Sequence, residues 1–145
     1  RILRNMDLSE NEIDESIYDA MLLSVDVAHA LHPNKKEKMD ITNKPVMGKG
    51  FCIKQACSQS YATDAQAIAI LCQLCDEKGI PYQRFVNRSD SRGGSTLGSI
   101  AGTLLPVKTV DIGIPILAMH SACELMGVRD MKALSDCVTA FFGYH

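Results

Sequence analysis

Asp26, His29, His32 and His120 carry the donors in this sequence best suited to coordination chemistry. Asp26 and His29 stand in Ser24-Val25-Asp26-Val27-Ala28-His29-Ala30-Leu31-His32-Pro33-Asn34; His120 stands far downstream in Met119-His120-Ser121. Asp26 and His120 each follow an apolar run that reads as a buried strand or its exit. Carboxylates and imidazoles brought to strand ends suit a hard or borderline divalent ion, because rigid strands hold donors within about 0.2 Å of coordination distance. Two donors fall short of the roughly four that such an ion takes. Each residue also has a plainer reading. A lone strand-end Asp is more often a turn or cap residue, His32 before Pro33 is equally a surface loop histidine, and His120 alone reads as a packed structural histidine. Glu124, four residues after His120, could orient its ring if Ser121 opens a helix, or be an exposed acid of that first turn.

Three further groups carry chemistry with a plain alternative beside it. Lys54, read at a site mouth, can bind a carboxylate or phosphate, and Tyr61 can donate to a developing oxyanion; a solvated Lys and a half-buried Tyr are the usual states. The segment Arg92-Gly93-Gly94-Ser95-Thr96-Leu97-Gly98 could cradle an anion at a helix start. It lacks a Walker Lys-Ser/Thr pair and the G-x-G-x-x-G spacing, and close helix–sheet packing explains the glycines equally well. Cys72 and Cys75 form a C-x-x-C, but they lie in a run of helical apolar spacing with no second pair to complete a zinc site. They read as small core hydrophobes.

The elements that must position these side chains are marked in the sequence. Ser9 with Glu12 three residues on predicts a capped helix to about Ala20. Residues 21–25 predict a buried strand that delivers Asp26 at its carboxyl end, and residues 32–49 an exposed loop. A short strand follows over 51–54, then a helix from Thr63 to Lys78 stopped by Gly79-Ile80-Pro81. Extended structure resumes over 82–86, a small-residue loop from Asn87 feeds a helix, residues 107–113 read as a strand, and residues 114–119 carry the chain to His120. A last helix is expected from Met131 to Phe142, capped by Asp130. Helices alternating with short apolar strands, without tight hairpin signals, predict an α/β fold.

At 145 residues the chain has the size of one domain. A 46% hydrophobic share and 15 basic against 17 acidic residues give no polyelectrolyte character, so nucleic acid is not an expected partner. No apolar run approaches the roughly 18 residues that span a bilayer, which argues against a membrane partner. The six cysteines sit mostly in apolar segments, which implies reduced thiols and a cytoplasmic setting.

Taken in order, four blocks resemble one family. They are Ser24 to Asn34, Lys49 to Lys54 with Gln59-Ser60-Tyr61-Ala62-Thr63, Val86 to Gly98, and Val110 to Ser121. Together they look like the aspartyl aminopeptidase and vacuolar aminopeptidase family of dinuclear zinc exopeptidases, from about residue 15 onward. The resemblance implies a zinc-exopeptidase-like mixed sheet flanked by helices, two divalent metal ions, zinc foremost, a peptide substrate and a homo-oligomer in the full-length protein. It implies that Asp26 ligates one ion and His120 the other, and that His29, Lys54 and Tyr61 contact substrate. The family's metal-binding His, bridging Asp, Glu-Glu pair with the general base and inserted dimerisation domain lie upstream of the matching blocks. Residues 1–145 are therefore expected to form the C-terminal portion of a metalloaminopeptidase catalytic domain, with no catalytic base assigned within it. The alternative expectation is a non-catalytic binding or assembly module derived from a peptidase; an anion-binding α/β domain using residues 92–98 is a third.

Overall fold

The computed structural model describes residues 2–62, 64–91 and 93–143. Helix α1, Glu10–Asp19, begins as its spacing predicts: Ser9 Oγ accepts from the Glu12 N–H while the Glu12 carboxylate accepts from the Ser9 N–H. Strand β1 then runs Met21–His29, four residues beyond the expected end. Strand β4, Lys108–Leu117, lies parallel along all of it, from Met21 opposite Lys108 to His29 opposite Ile116. Asp26 therefore sits inside a paired strand and not at its carboxyl end.

After a loop interrupted by a 3-10 turn at Lys36–Lys38, β2 spans Phe51–Gln55. Helix α2, Ala65–Lys78, starts at Asp64, whose carboxylate accepts from the Ala67 N–H, and stops at Gly79 in the left-handed region. The expected start at Thr63 lies outside the described residues. Strand β3, Tyr82–Val86, is followed by α3, Leu97–Leu104, by β4, by the short β5, Leu125–Met126, and by α4, Val128–Phe142. Asp130 does not cap α4, which begins after Gly127. Its fully buried carboxylate instead accepts the Gly48 and Gly50 N–H groups at 2.6 and 2.7 Å and pins the loop before β2 to the helix.

The sheet order is β1-β4-β2-β3, with β5 against the end of β4. β1/β4 and β2/β3 are parallel, β2/β4 and β4/β5 antiparallel, so the α/β expectation resolves to a mixed sheet. Side chains alternate across it. Phe51, Ile53, Val110, Ile112, Ile114 and Ile116 face α2 and α4 and pack with Leu71, Leu74, Leu134 and Cys137 into the main core. Each fully buried Leu, Ile or Phe there contributes about 1.5–3 kcal/mol. The opposite face carries Ser24, Asp26, Cys52, Lys54 and Asp111, and the smaller cluster of Ala28, Cys52, Ala56, Tyr61 and Phe85 lies on that side. One face is thus spent on the core, and the other is left for polar groups. All six cysteines are free thiols; Cys75 is buried with its Sγ 3.9 Å from that of Cys137, and Cys72 packs partly buried against the core. No helix among the described residues is long and apolar enough to cross a membrane.

Candidate functional site

Adjacent rungs of the sheet build the polar face. Ser24, Asp111 and Lys54 stand side by side across β1, β4 and β2; Asp26, Gly113 and Cys52 form the next rung. Gly113 is required there, because a Cβ would stand 2.7 Å from the Asp26 carbonyl oxygen. Asp26 projects from its rung with a side chain 54% exposed, 3.7 Å from Lys54 Nζ.

Lys54 is not at a site mouth, as the sequence suggested, but 2% exposed in the wall. Burial of an ammonium demands partners. Its Nζ donates to the Val27 carbonyl at 3.0 Å, pairs with Asp26 and lies 4.7 Å from the centroid of the Tyr61 ring. Removal from water lowers its pKa, while the Asp26 and Asp111 carboxylates pull it back up. Tyr61 is buried, with its hydroxyl accepting from Asn87 Nδ2 at 3.3 Å and its ring tilted against Phe85.

His29 ends β1 beside Phe85, ring centroids 6.4 Å apart. Its pKa is lowered, first by removal from water and then by His120 and Lys54, which favours the neutral ring. His120 lies beyond β4 in a left-handed backbone, φ 67°, two residues after Ala118 at φ 57°. Such conformations cost about 1–3 kcal/mol for a non-glycine residue and persist where the surroundings hold them. The holding group is Glu124, whose Oε1 accepts from the His120 N–H at 2.6 Å. Glu124 thus orients the backbone and not the ring, and Ser121 closes a turn with Ala118, its N–H donating to that carbonyl at 3.0 Å, and opens no helix.

The structure brings all five expected site residues together. Asp26, His29, Lys54, Tyr61 and His120 line one cleft of 180 Å³, with Phe85, Thr96 and Met119. His32 does not join them. Its Nδ1 accepts from the Asn34 N–H, and it lines a neighbouring 520 Å³ groove to which His29 and Tyr61 also contribute. At the start of α3 the Thr96 and Gly98 N–H groups are already taken within the protein, in keeping with close helix–sheet packing. The Gly98 N–H donates to Ser24 Oγ at 3.1 Å, and a Cβ at Gly98 would lie 2.9 Å from both carboxylate oxygens of Asp111. Arg92 lies outside the described residues.

Sequence reasoning passed over Asp111, Thr96 and Asn87. Asp111 had a signal, since it is a lone carboxylate in the apolar run Val110-Asp111-Ile112. Thr96 and Asn87 had none, as loop polar residues are ordinary. Among the described residues no group of three or more His, Cys, Asp or Glu side chains lies close enough to hold a metal ion. Asp26 and His120, one oxygen and one nitrogen donor on a common polar cleft, fit a metal centre as a partial donor set.

A mixed sheet whose polar face brings one oxygen and one nitrogen donor to a common cleft is an α/β fold carrying part of a candidate metal site. The profile of the aminopeptidase I zinc metalloprotease (M18) family matches residues 1–142, and the chain belongs to that family. The match reaches the first residue, beyond the four blocks legible by eye. A probable M18 family aminopeptidase 2 of Clostridium novyi (strain NT) is 47% identical over 130 residues, covering 90% of this chain and 30% of that protein. In the solved complex of Ape4 and Nbr1, one chain is 33% identical with a TM-score of 0.91 over 97% of this chain and 27% of its own length. The S. cerevesiae mApe1 dodecamer matches at 27% identity and a TM-score of 0.75, covering 86% of this chain and 27% of that one. The chain spans about a third of the length of the curated relatives it matches.

Proposed function

We propose that residues 1–145 form the C-terminal portion of the catalytic domain of a metalloaminopeptidase and supply part of its metal and substrate site. The carrying observation is the convergence of Asp26, His29, Lys54, Tyr61 and His120 on one cleft, from strands and loops far apart in sequence. In this reading Asp26 donates to one divalent ion and His120 to a second; zinc is the metal that the family description names. Bound there, the ions would supply Lewis acidity for the scissile carbonyl and lower the pKa of water toward about 7.

The chain's own residues position and recognise. Lys54 pairs with Asp26 and, from the cleft wall, would offer an ammonium proton to a polar group of a substrate seated there. Tyr61 and neutral His29 steady the substrate carbonyl as negative charge develops on its oxygen. Glu124 holds the backbone turn that aims His120. The full-length protein acts on peptides in the cytoplasm as a homo-oligomer, a reading supported by the dodecamer described for mApe1 and by six free thiols.

The test is chelator-sensitive cleavage of aminoacyl p-nitroanilides by the full-length protein, with metal content measured on the same sample. Asp26→Ala and His120→Ala are expected to abolish cleavage and lower metal content by about one ion each. Full activity with full metal in either variant would refute the assignment. Absence of cleavage by the wild-type protein would favour the non-catalytic module.

A further inference from the structure

Asp111 is the least explained charged group in the molecule. It is fully buried in the central strand β4, and its Oδ1 has no hydrogen-bond partner among the described residues. Burying a carboxylate with one oxygen unpartnered costs several kcal/mol unless something offsets it. Its other contacts lead to the candidate substrate residues. Oδ2 accepts from the Ala62 N–H and from Thr96 Oγ1–H, both at 2.6 Å. The Asp111 N–H donates to the Ala62 carbonyl at 3.3 Å, and the Thr96 N–H donates to the Ser60 carbonyl, also at 3.3 Å. The segment 60–62 that carries Tyr61 is therefore held through backbone groups on both sides of the tyrosine. Across the β2/β4 pair, Asp111 stands opposite Lys54.

We propose that Asp111 is a positioning residue for substrate recognition: its buried carboxylate ties the Tyr61 segment and Thr96 to the sheet and stands beside Lys54, so that Tyr61 and Lys54 meet the substrate in one arrangement. It does not line the cleft and acts through Tyr61 and Lys54. A neutral acceptor could make the same two hydrogen bonds with less desolvation. What the carboxylate adds is a fixed charge against the buried ammonium. The inference rests on the reading of Tyr61 and Lys54 as substrate contacts.

The experiment is a double-mutant cycle on the full-length protein, with kcat/KM read for aminoacyl p-nitroanilide cleavage and metal content and circular dichroism measured on every variant. Asp111→Asn keeps an oxygen for Ala62 and Thr96 but removes the charge, and is expected to lower kcat/KM about tenfold with metal and fold unchanged. Asp111→Ala is expected to lower it about a hundredfold, since displacements near 1 Å cost about that much; where that variant fails to fold, Thr96→Val takes its place. In a Lys54→Met background the loss from Asp111→Asn is expected to shrink below about threefold, because the ammonium on which the Asp111 charge acts is already gone. The same loss in both backgrounds, or unchanged kcat/KM in a folded and metal-loaded Asp111→Asn protein, would overturn the proposal. A wild-type protein that shows no chelator-sensitive cleavage would overturn the proposed function itself, and this inference with it.

Discussion

The link between Asp130 and the loop before β2 gives the sharpest stability prediction. The perturbation is Asp130→Ala in the full-length protein. Asp130 is fully buried, and its two oxygens accept the Gly48 and Gly50 N–H groups at 2.6 and 2.7 Å. A hydrogen bond to a charged group contributes about 1.5–3 kcal/mol, and an orphaned buried donor carries its own desolvation cost. Removing both bonds should cost about 3–5 kcal/mol, a large share of the ~5–15 kcal/mol that holds a domain together. Asp130→Asn keeps one acceptor and turns an amide N–H toward the other glycine, so about half that loss is expected. The local readout is amide hydrogen exchange. Each 1.4 kcal/mol is a factor of ten, so protection at Gly48 and Gly50 should fall at least about a hundredfold in the Ala variant, with a smaller fall along β2. Thermal unfolding measured alongside should move down. Unchanged protection at both glycines, with an unchanged unfolding temperature, would refute the claim that the carboxylate anchors this loop.

Other perturbations test the polar face. Burial pushes the Cys52 thiol up to about 12, with the Asp130 charge adding and Lys54 opposing, so Cys52 should stay unmodified by iodoacetamide at pH 8 while exposed Cys57 and Cys123 react; labelling of native Cys52 at the rate of Cys57 would contradict this. His29 should titrate below 6.5 in an NMR pH series on chelator-treated protein. Because its folded pKa is depressed, the unfolded chain takes up the proton first, so stability is lost as pH falls from the unfolded value of about 6.5 toward the folded one. A His29 pKa above 6.5 would show that the ring is not desolvated as described. Gly98→Ala places a Cβ 2.7 Å from Ser24 Cβ and 2.9 Å from the Asp111 oxygens, and should cost about 1–3 kcal/mol by forcing α3 off the sheet. An unshifted denaturation midpoint would mean that α3 yields freely.

Much of the element layout was legible because its causes are local. The Ser9–Glu12 box, the Gly79 stop and the apolar spacing of 65–78 each involve residues within a few positions of one another. The misread boundaries share a cause. β1 extends through Asp26 to His29 because β4, more than eighty residues downstream, pairs with every residue of it. Asp130 has the residue type and position of a cap, but its partners are Gly48 and Gly50, and nothing within a helical turn of Asp130 points to them. Residue type put Lys54 at a site mouth or in solvent, and only Val27, Asp26 and Tyr61 gathered around its ammonium make burial tolerable.

By itself, then, the sequence determined the alternation of helices and strands, the apolar face that becomes the core, and the ordered blocks by which the M18 family is recognised. These are properties of spacing along the chain, which capping, periodicity and residue type already specify. The tertiary structure decided which strands neighbour one another, and through that the pairing of Asp26 with a buried Lys54, the left-handed turn that Glu124 holds at His120, and the place of Asp111 beneath the Tyr61 segment. Those arrangements bring together groups dozens of residues apart, and only closure of the sheet sets the distances between them.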